Sequence, residues 1–235
     1  MTQQHQPMVT VAFEDGEERY LPSGITLQEL IRKFPDGRKH TIVAGKVDNE
    51  IRELNFKINQ DCRVEFIDLS RDDGVRIYKR SLSFILIKAV DDLYPDRNVV
   101  IGHSISSGLF CEVRGGKGLT AEEVTNIEGR MRELVRAKIP FIKRIVSAEQ
   151  AEKVFKQSGR MDRFHAAEYR LKPYVTMYSC DGMDDYFYGY MVPHTGYIDK
   201  FSLIYYPPGL IMMSPTKYDP ENLPAFKPQK KLFGI

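Results

Sequence analysis

Val9, Val11 and Phe13 alternate with Thr10, Ala12 and Glu14, the two-residue period of a half-buried strand, and Asp15-Gly16 supplies a tight turn after it. The pattern predicts a return strand from Glu18 to Leu21, stopped by Pro22-Ser23-Gly24. The period then lengthens. Leu27, Leu30, Ile31 and Phe34 fall on one helical face behind Thr26, whose hydroxyl suits an N-cap and which has Glu29 three residues on. Pro35-Asp36-Gly37 ends that helix. Two more strands are predicted, Ile42 to Val47 and Cys62 to Asp68, with turn residues Asp48-Asn49 after the first and Asn59-Gln60-Asp61 before the second.

The polar stretch Ser70-Arg71-Asp72-Asp73-Gly74 reads as a linker, dividing the chain into residues 1–70 and 71–235. Beyond it the spacing predicts a helix from Ser81 to Leu93, ended by Tyr94-Pro95-Asp96, and two strands, Val99 to Gly102 and Leu109 to Val113, about Ser106-Ser107-Gly108. Thr120 with Glu123 is a second capping box, opening a helix to about Lys138. Ser147 with Gln150 opens another, to about Gln157. From Tyr174 onward the chain is aromatic and strand-like. Strands and helices in this order give an α+β class with two domains.

Composition narrows the function classes. The chain has 235 residues, 42% hydrophobic and 28% charged, with a net charge of +2, which excludes a disordered or collagen-like chain and a strongly basic nucleic-acid binder. The total hides an asymmetry: residues 1–70 carry 9 basic and 12 acidic side chains, and the rest carry 25 and 20. No run approaches the roughly 18 apolar residues of a membrane helix, and the polar start Met1 to Pro7 is unlike a secretory signal, so a cytoplasmic protein without a membrane partner is expected. Cys62, Cys111 and Cys180 are odd in number and far apart, which suggests neither disulfides nor a zinc ribbon.

Three runs in the first 70 residues, V-x-V-x-F-x-D-G (Val9 to Gly16), L-P-S-G-I-T-L-x-E-L (Leu21 to Leu30) and V-A-G-K-V-D-N-E (Val43 to Glu50), resemble the TGS domain, a ubiquitin-like β-grasp found in threonyl-tRNA synthetases, some GTPases and stringent-response enzymes. The resemblance implies a binding module for RNA or a nucleotide, or else a structural appendage. Residues 71–235 resemble the second additional domain of threonyl- and alanyl-tRNA synthetases, which in many threonyl enzymes is the zinc-dependent editing domain. The resemblance rests on I-G-x-x-I-x-x-G-L-F (Ile101 to Phe110), L-T-A-E-E-V-x-x-I-E-x-R-M (Leu119 to Met131), I-P-F (Ile139 to Phe141) and V-P-x-T-G-Y-I (Val192 to Ile198).

The same resemblance implies a metal and hydrolytic site made of an H-x-x-x-H pair, one helical turn apart on one face, and a C-x-x-x-H pair before the V-P-x-T-G run. In register, the first pair falls on Arg80 and Phe84 and the second on Phe187 and Met191. Guanidinium and phenyl groups do not ligate zinc and a lone thioether ligates it poorly, so no metal is expected and this segment is expected to lack catalytic residues. His5, His40, His103, His165 and His194 do not rebuild ligand spacing. His103 and His194 flank the former cleft, and with Arg80 they suggest a cationic pocket for phosphate or carboxylate, set against the plainer reading of turn and helix-end residues. The tyrosines Tyr186, Tyr188 and Tyr190 alternate as if on one strand face, where Tyr188 would stack a base, or else they are core. Basic residues from Arg130 to Arg144 either face an RNA backbone or form a solvated face.

The end of the chain carries D-K-F-x-L-x-Y-Y-P-P-G-L (Asp199 to Leu210), S-P-x-x-Y-D-P (Ser214 to Pro220) and P-Q-K-K-L-F (Pro228 to Phe233), which look like the N-terminal region of a bacterial uridine (nucleoside) kinase family. There, TGS and synthetase-like domains precede the catalytic domain. No phosphate loop is present: Gly115-Gly116-Lys117-Gly118 has the wrong spacing and no Ser or Thr after the lysine. The resemblance therefore implies a non-catalytic, regulatory or RNA/nucleotide-binding front part of a kinase, whose covalently linked kinase domain, with ATP and Mg, would lie beyond residue 235. The alternatives are a free-standing trans-editing hydrolase acting on aminoacyl-tRNA and a structural or oligomerising module.

Overall fold

The computed structural model of the protein describes residues 7–35, 39–116, 118–157 and 173–227. Alternation at the start produces β1 (Met8–Phe13), paired antiparallel with β2 (Glu18–Pro22) and parallel with β7 (Cys62–Asp68). With β4 (Ile42–Val47) and β5 (Glu50–Arg52) they form a five-stranded sheet in the order β2-β1-β7-β4-β5. The short pair β3 (Ile25–Thr26) and β6 (Lys57–Ile58) stands apart. Helix α1 (Leu27–Lys33) buries Leu27 and Leu30 in one apolar cluster with Val9, Val11, Ile58, Val64 and Phe66. Its capping box is formed, with Thr26 Oγ1 accepting from Glu29 N and Glu29 Oε2 accepting from Thr26 N.

Helix α2 (Asp72–Leu93) starts nine residues earlier than the spacing predicts and absorbs most of the expected linker. Only Ser70 and Arg71 remain as a turn, with Ser70 N and Oγ both donating to Asp68 Oδ1. Gly74 marks the reason. A Cβ there would lie 1.9 Å from the Asp68 carbonyl oxygen, so glycine permits the first helical turn to fold back on the strand it follows. Asp72 and Asp73 suit the positive end of the helix.

Every residue from Ser81 to Val90 is buried, as befits a helix covered on all sides. One side of α2 meets Val43, Ala44 and Ile67 from the first sheet and Leu69 just after it, in the same apolar cluster that holds Val113, Ile127, Met131 and Met212. The core is thus continuous across the expected boundary at residue 70. Beyond α2, β8 (Asn98–Ile105) and β9 (Gly108–Arg114) form a hairpin that extends further than predicted on both sides, with Ser106 at φ 54° in its turn. They join β13 (Ser202–Tyr206) and β14 (Gly209–Met213) in a sheet ordered β13-β14-β9-β8. Helix α3 (Ala121–Arg136) and helix α4 (Ala148–Gln157) begin at the predicted caps, Thr120 and Ser147. A three-stranded sheet comprises β10 (Ile142–Ser147), β11 (Tyr174–Cys180) and β12 (Met183–Tyr186).

One reading of the sequence is corrected here. Strand β12 ends at Tyr186, so Tyr186, Tyr188 and Tyr190 do not share a strand face. Phe187, the residue after Tyr186, lies outside the strand with its ring 5.3 Å from Phe84.

Candidate functional site

Helix α2 builds the site by gripping the segment after β12. The Tyr78 hydroxyl donates to the Lys200 carbonyl at 3.0 Å and accepts from Lys200 N at 2.9 Å. Ser81 Oγ, fully buried, donates to Ile77 O and accepts from Val192 N at 3.1 Å. The V-P-H-T-G run is also tied to the I-P-F run. Thr195 N donates to Ile139 O and Phe141 N donates to Pro193 O, while Thr195 Oγ1 donates to Leu134 O at 2.6 Å and accepts from Ile139 N at 2.9 Å.

Inside this grip stand the four positions where the resemblance places metal ligands. Phe84 sits between Phe187, at 5.3 Å with the rings tilted, and Phe141, at 5.5 Å edge-on. Met191 is 1% exposed in the same cluster. Arg80, one turn before Phe84, donates Nη1 to the Tyr190 carbonyl at 2.8 Å. Three apolar side chains and a guanidinium bonded to backbone fill the space, and among the described residues no group of three His, Cys, Asp or Glu side chains could hold a metal.

Next to this filled centre lies a polar cluster that spacing did not reveal. Glu53, just after β5, projects from the N-terminal region, and its Oε1 accepts from Met191 N at 3.0 Å and bonds the Tyr178 hydroxyl. Lys143 Nζ stands 3.9 Å from the same oxygen and over the Tyr190 ring at 4.9 Å. Tyr178 also reaches the Gly189 carbonyl at 2.7 Å. Gly189, at φ 110°, passes so close over Arg80 that a Cβ would lie 2.7 Å from its Cζ. Burial pushes the Tyr178 hydroxyl well above the usual phenol range, and the Glu53 charge adds to this. Burial pushes Arg80 down, with Glu53 and Tyr178 acting the other way. Lys143 and Tyr178 are opposite one another across β10 and β11, a pairing invisible until the register is known.

The expected cationic pocket of Arg80, His103 and His194 is not brought together. His103 is exposed where the β8–β9 register slips, its ring 5.9 Å from Phe110. His194 bridges to Pro140 and packs edge-on against Tyr197 at 4.7 Å, with burial, then Lys138 and Arg32, lowering its pKa. Arg80 stands with Glu53, Tyr178 and Tyr190. Tyr188 is 63% exposed, at the surface beside this cluster, whereas Tyr178 is 1% exposed. His40 bonds Glu221, and His5 and His165 lie outside the described residues. Of the basic side chains expected to face RNA, Arg130 pairs with Asp92 at 2.8 Å and with Glu133, Arg132 with Glu128 at 2.7 Å, and Arg144 with Asp184, while Arg136 and Lys138 are exposed.

The first of the C-terminal motifs falls mostly in the β13–β14 hairpin. All five residues of β14 are buried, and Pro207-Pro208 makes the turn between β13 and β14. Pro228 to Phe233 lies outside the described residues.

The described residues form a mixed α+β protein in which the I-P-F and V-P-H-T-G runs are bonded together beside Arg80 and Phe84. Comparison with known proteins gives that architecture a relation. The threonine–tRNA ligase of Burkholderia lata is 30% identical over 200 residues, that of Pelobacter propionicus 28% over 196, and that of Geobacter sp. (strain M21) 29% over 195. These matches cover 83% to 84% of the chain but only 31% of each ligase, so the chain spans about a third of the length of these curated relatives. No protein-family model matches. The chain therefore carries a threonyl-tRNA-synthetase-like region, and the three ligases named give no support to membership of a nucleoside kinase family.

Proposed function

We propose that this chain is a non-hydrolytic derivative of the editing region of threonyl-tRNA synthetase, working as a tRNA-binding module in the cytoplasm. The carrying observation is the convergence of Arg80, Phe84, Phe187 and Met191 into one filled centre, where a hydrolase would need open coordination positions. The likeness to threonine–tRNA ligases supports tRNA as the partner. The sheet order β2-β1-β7-β4-β5 with β1 parallel to β7 supports a TGS-type β-grasp for the N-terminal region. Attachment to a nucleoside kinase domain, with its ATP and Mg, rests only on the C-terminal motifs, of which the β13–β14 hairpin contains most of the first.

The test is incubation of the purified chain with tRNA and with seryl-tRNA. The expected result is binding that weakens with salt, since phosphate contacts release counterions, and no release of serine above the uncatalysed rate. Release of serine, or stoichiometric zinc in the purified protein, overturns this reading in favour of a trans-editing hydrolase. Failure to bind tRNA overturns it in favour of a structural module.

A further inference from the structure

The Glu53 carboxylate is an unusual guest in the neighbouring cluster. It comes from the N-terminal region, yet one of its oxygens is held by groups of the second region: the Met191 amide at 3.0 Å, the Tyr178 hydroxyl, and the Lys143 ammonium at 3.9 Å. A backbone N–H, a phenol and an ammonium aimed at one oxygen form an oxyanion seat, and charge-assisted bonds of this kind are the stronger ones. The Arg80 guanidinium adds positive charge nearby while remaining bonded to Tyr190 O.

Two features make the guest replaceable. The Tyr178 hydroxyl has a single proton and two acceptors within reach, Glu53 Oε1 and Gly189 O at 2.7 Å, so departure of Glu53 leaves it paired. The Met191 amide has no second acceptor among the described residues, and a buried N–H left unpaired costs about 1–3 kcal/mol. A departing carboxylate therefore leaves one unmet donor beside the Lys143 ammonium, which stays over the Tyr178 and Tyr190 rings, and another anion would satisfy both.

We propose that this seat is a binding site for an external oxyanion, a carboxylate or phosphate, occupied in cis by Glu53 until such a ligand displaces it. The site adjoins the filled centre, sharing Met191 and the neighbouring Arg80 with it, and its existence does not depend on tRNA binding. Glu53 acts as a latch, so ligand entry loosens one tie between the N-terminal region and the cleft.

The experiment follows the Met191 amide by NMR during titration with acetate, with inorganic phosphate and with tRNA, in the full chain and in Glu53→Ala and Glu53→Gln. Removing the competing carboxylate is expected to tighten acetate or phosphate binding about tenfold, or about 1.4 kcal/mol. Lys143→Met in the Glu53→Ala background is expected to reverse that gain. Response to acetate alone identifies a carboxylate seat, to phosphate alone a phosphate seat, and a response to tRNA that free phosphate competes away identifies a backbone phosphate as the source. If Glu53→Ala fails to fold, Glu53→Gln, which keeps the shape and loses the charge, carries the test. Equal affinities in the parent chain and in a folded Glu53 variant, or a gain that survives Lys143→Met, overturn the proposal.

Discussion

His194 shows how much a single side chain is constrained by this fold. Its Nδ1 is buried without a hydrogen-bond partner among the described residues, while its ring packs on Tyr197 and faces the charges of Lys138 and Arg32. Burial, chiefly, lowers its pKa from the ordinary 6.5. The folded state therefore binds this proton less tightly than the unfolded chain, so its contribution to stability is complete above pH 6.5 and is lost as the pH falls below it. An NMR titration should place the His194 midpoint below 6.5, and a midpoint at or above 6.5 contradicts this account. At this scale the sequence was partly legible. Register alone named Arg80, Phe84, Phe187 and Met191, since each stands at a fixed offset within a recognisable run. Glu53, Lys143 and Tyr178 were hidden because their meeting joins three separate strands or strand ends, and no offset along one element records it.

Among the elements, helix starts were the most readable features, because a cap is a bond between residues three apart. Thr26, Thr120 and Ser147 all make the bonds their spacing implies. Helix α2 was misjudged at its start, where glycine and two aspartates resemble a linker and only the approach of Asp68 reveals why Gly74 is needed. Strand β12 was overextended because tyrosine alternation resembles a strand, whereas pairing with β11 stops at Tyr186 opposite Met177. At α3, Glu123 accepts from Thr120 N and pairs with Arg97 at 2.9 Å, and the Arg97 bond, then the cap, lowers its pKa below the ordinary 4.5. Thr120→Ala should cost about 1 kcal/mol in urea unfolding at pH 7. Glu123 favours the folded state fully above pH 4.5 and loses this as the pH falls through its depressed folded value, so Glu123→Gln should flatten the acid limb of the stability curve.

For the molecule as a whole, the expected division at residue 70 describes the order of elements better than the distribution of the core. Val43, Ala44 and Ile67 of the first sheet and Leu69 just after it share one apolar cluster with α2 and α3 residues, Gln28 Nε2 donates to Tyr197 Oη at 3.0 Å, and His40 meets Glu221 at 2.8 Å. Calorimetry should therefore show one cooperative transition, with calorimetric and van't Hoff enthalpies equal. Two resolved transitions would show that the regions unfold separately. The charge asymmetry between the regions was legible from counting, but its meaning was not, since Arg130, Arg132 and Arg144 have carboxylate partners within the protein.

The β13-β14-β9-β8 order has a temporal side. Strand β9 ends at Arg114, but β14, the neighbour that completes its pairing, starts at Gly209. On a ribosome adding about 5–20 residues per second, β9 waits roughly 5–20 s for that neighbour. Through that interval its outer edge is an unpaired strand, open to other nascent chains. The newly made chain is thus exposed to aggregation at β9 until the β13-β14-β9-β8 sheet closes, and chaperone cover would matter then.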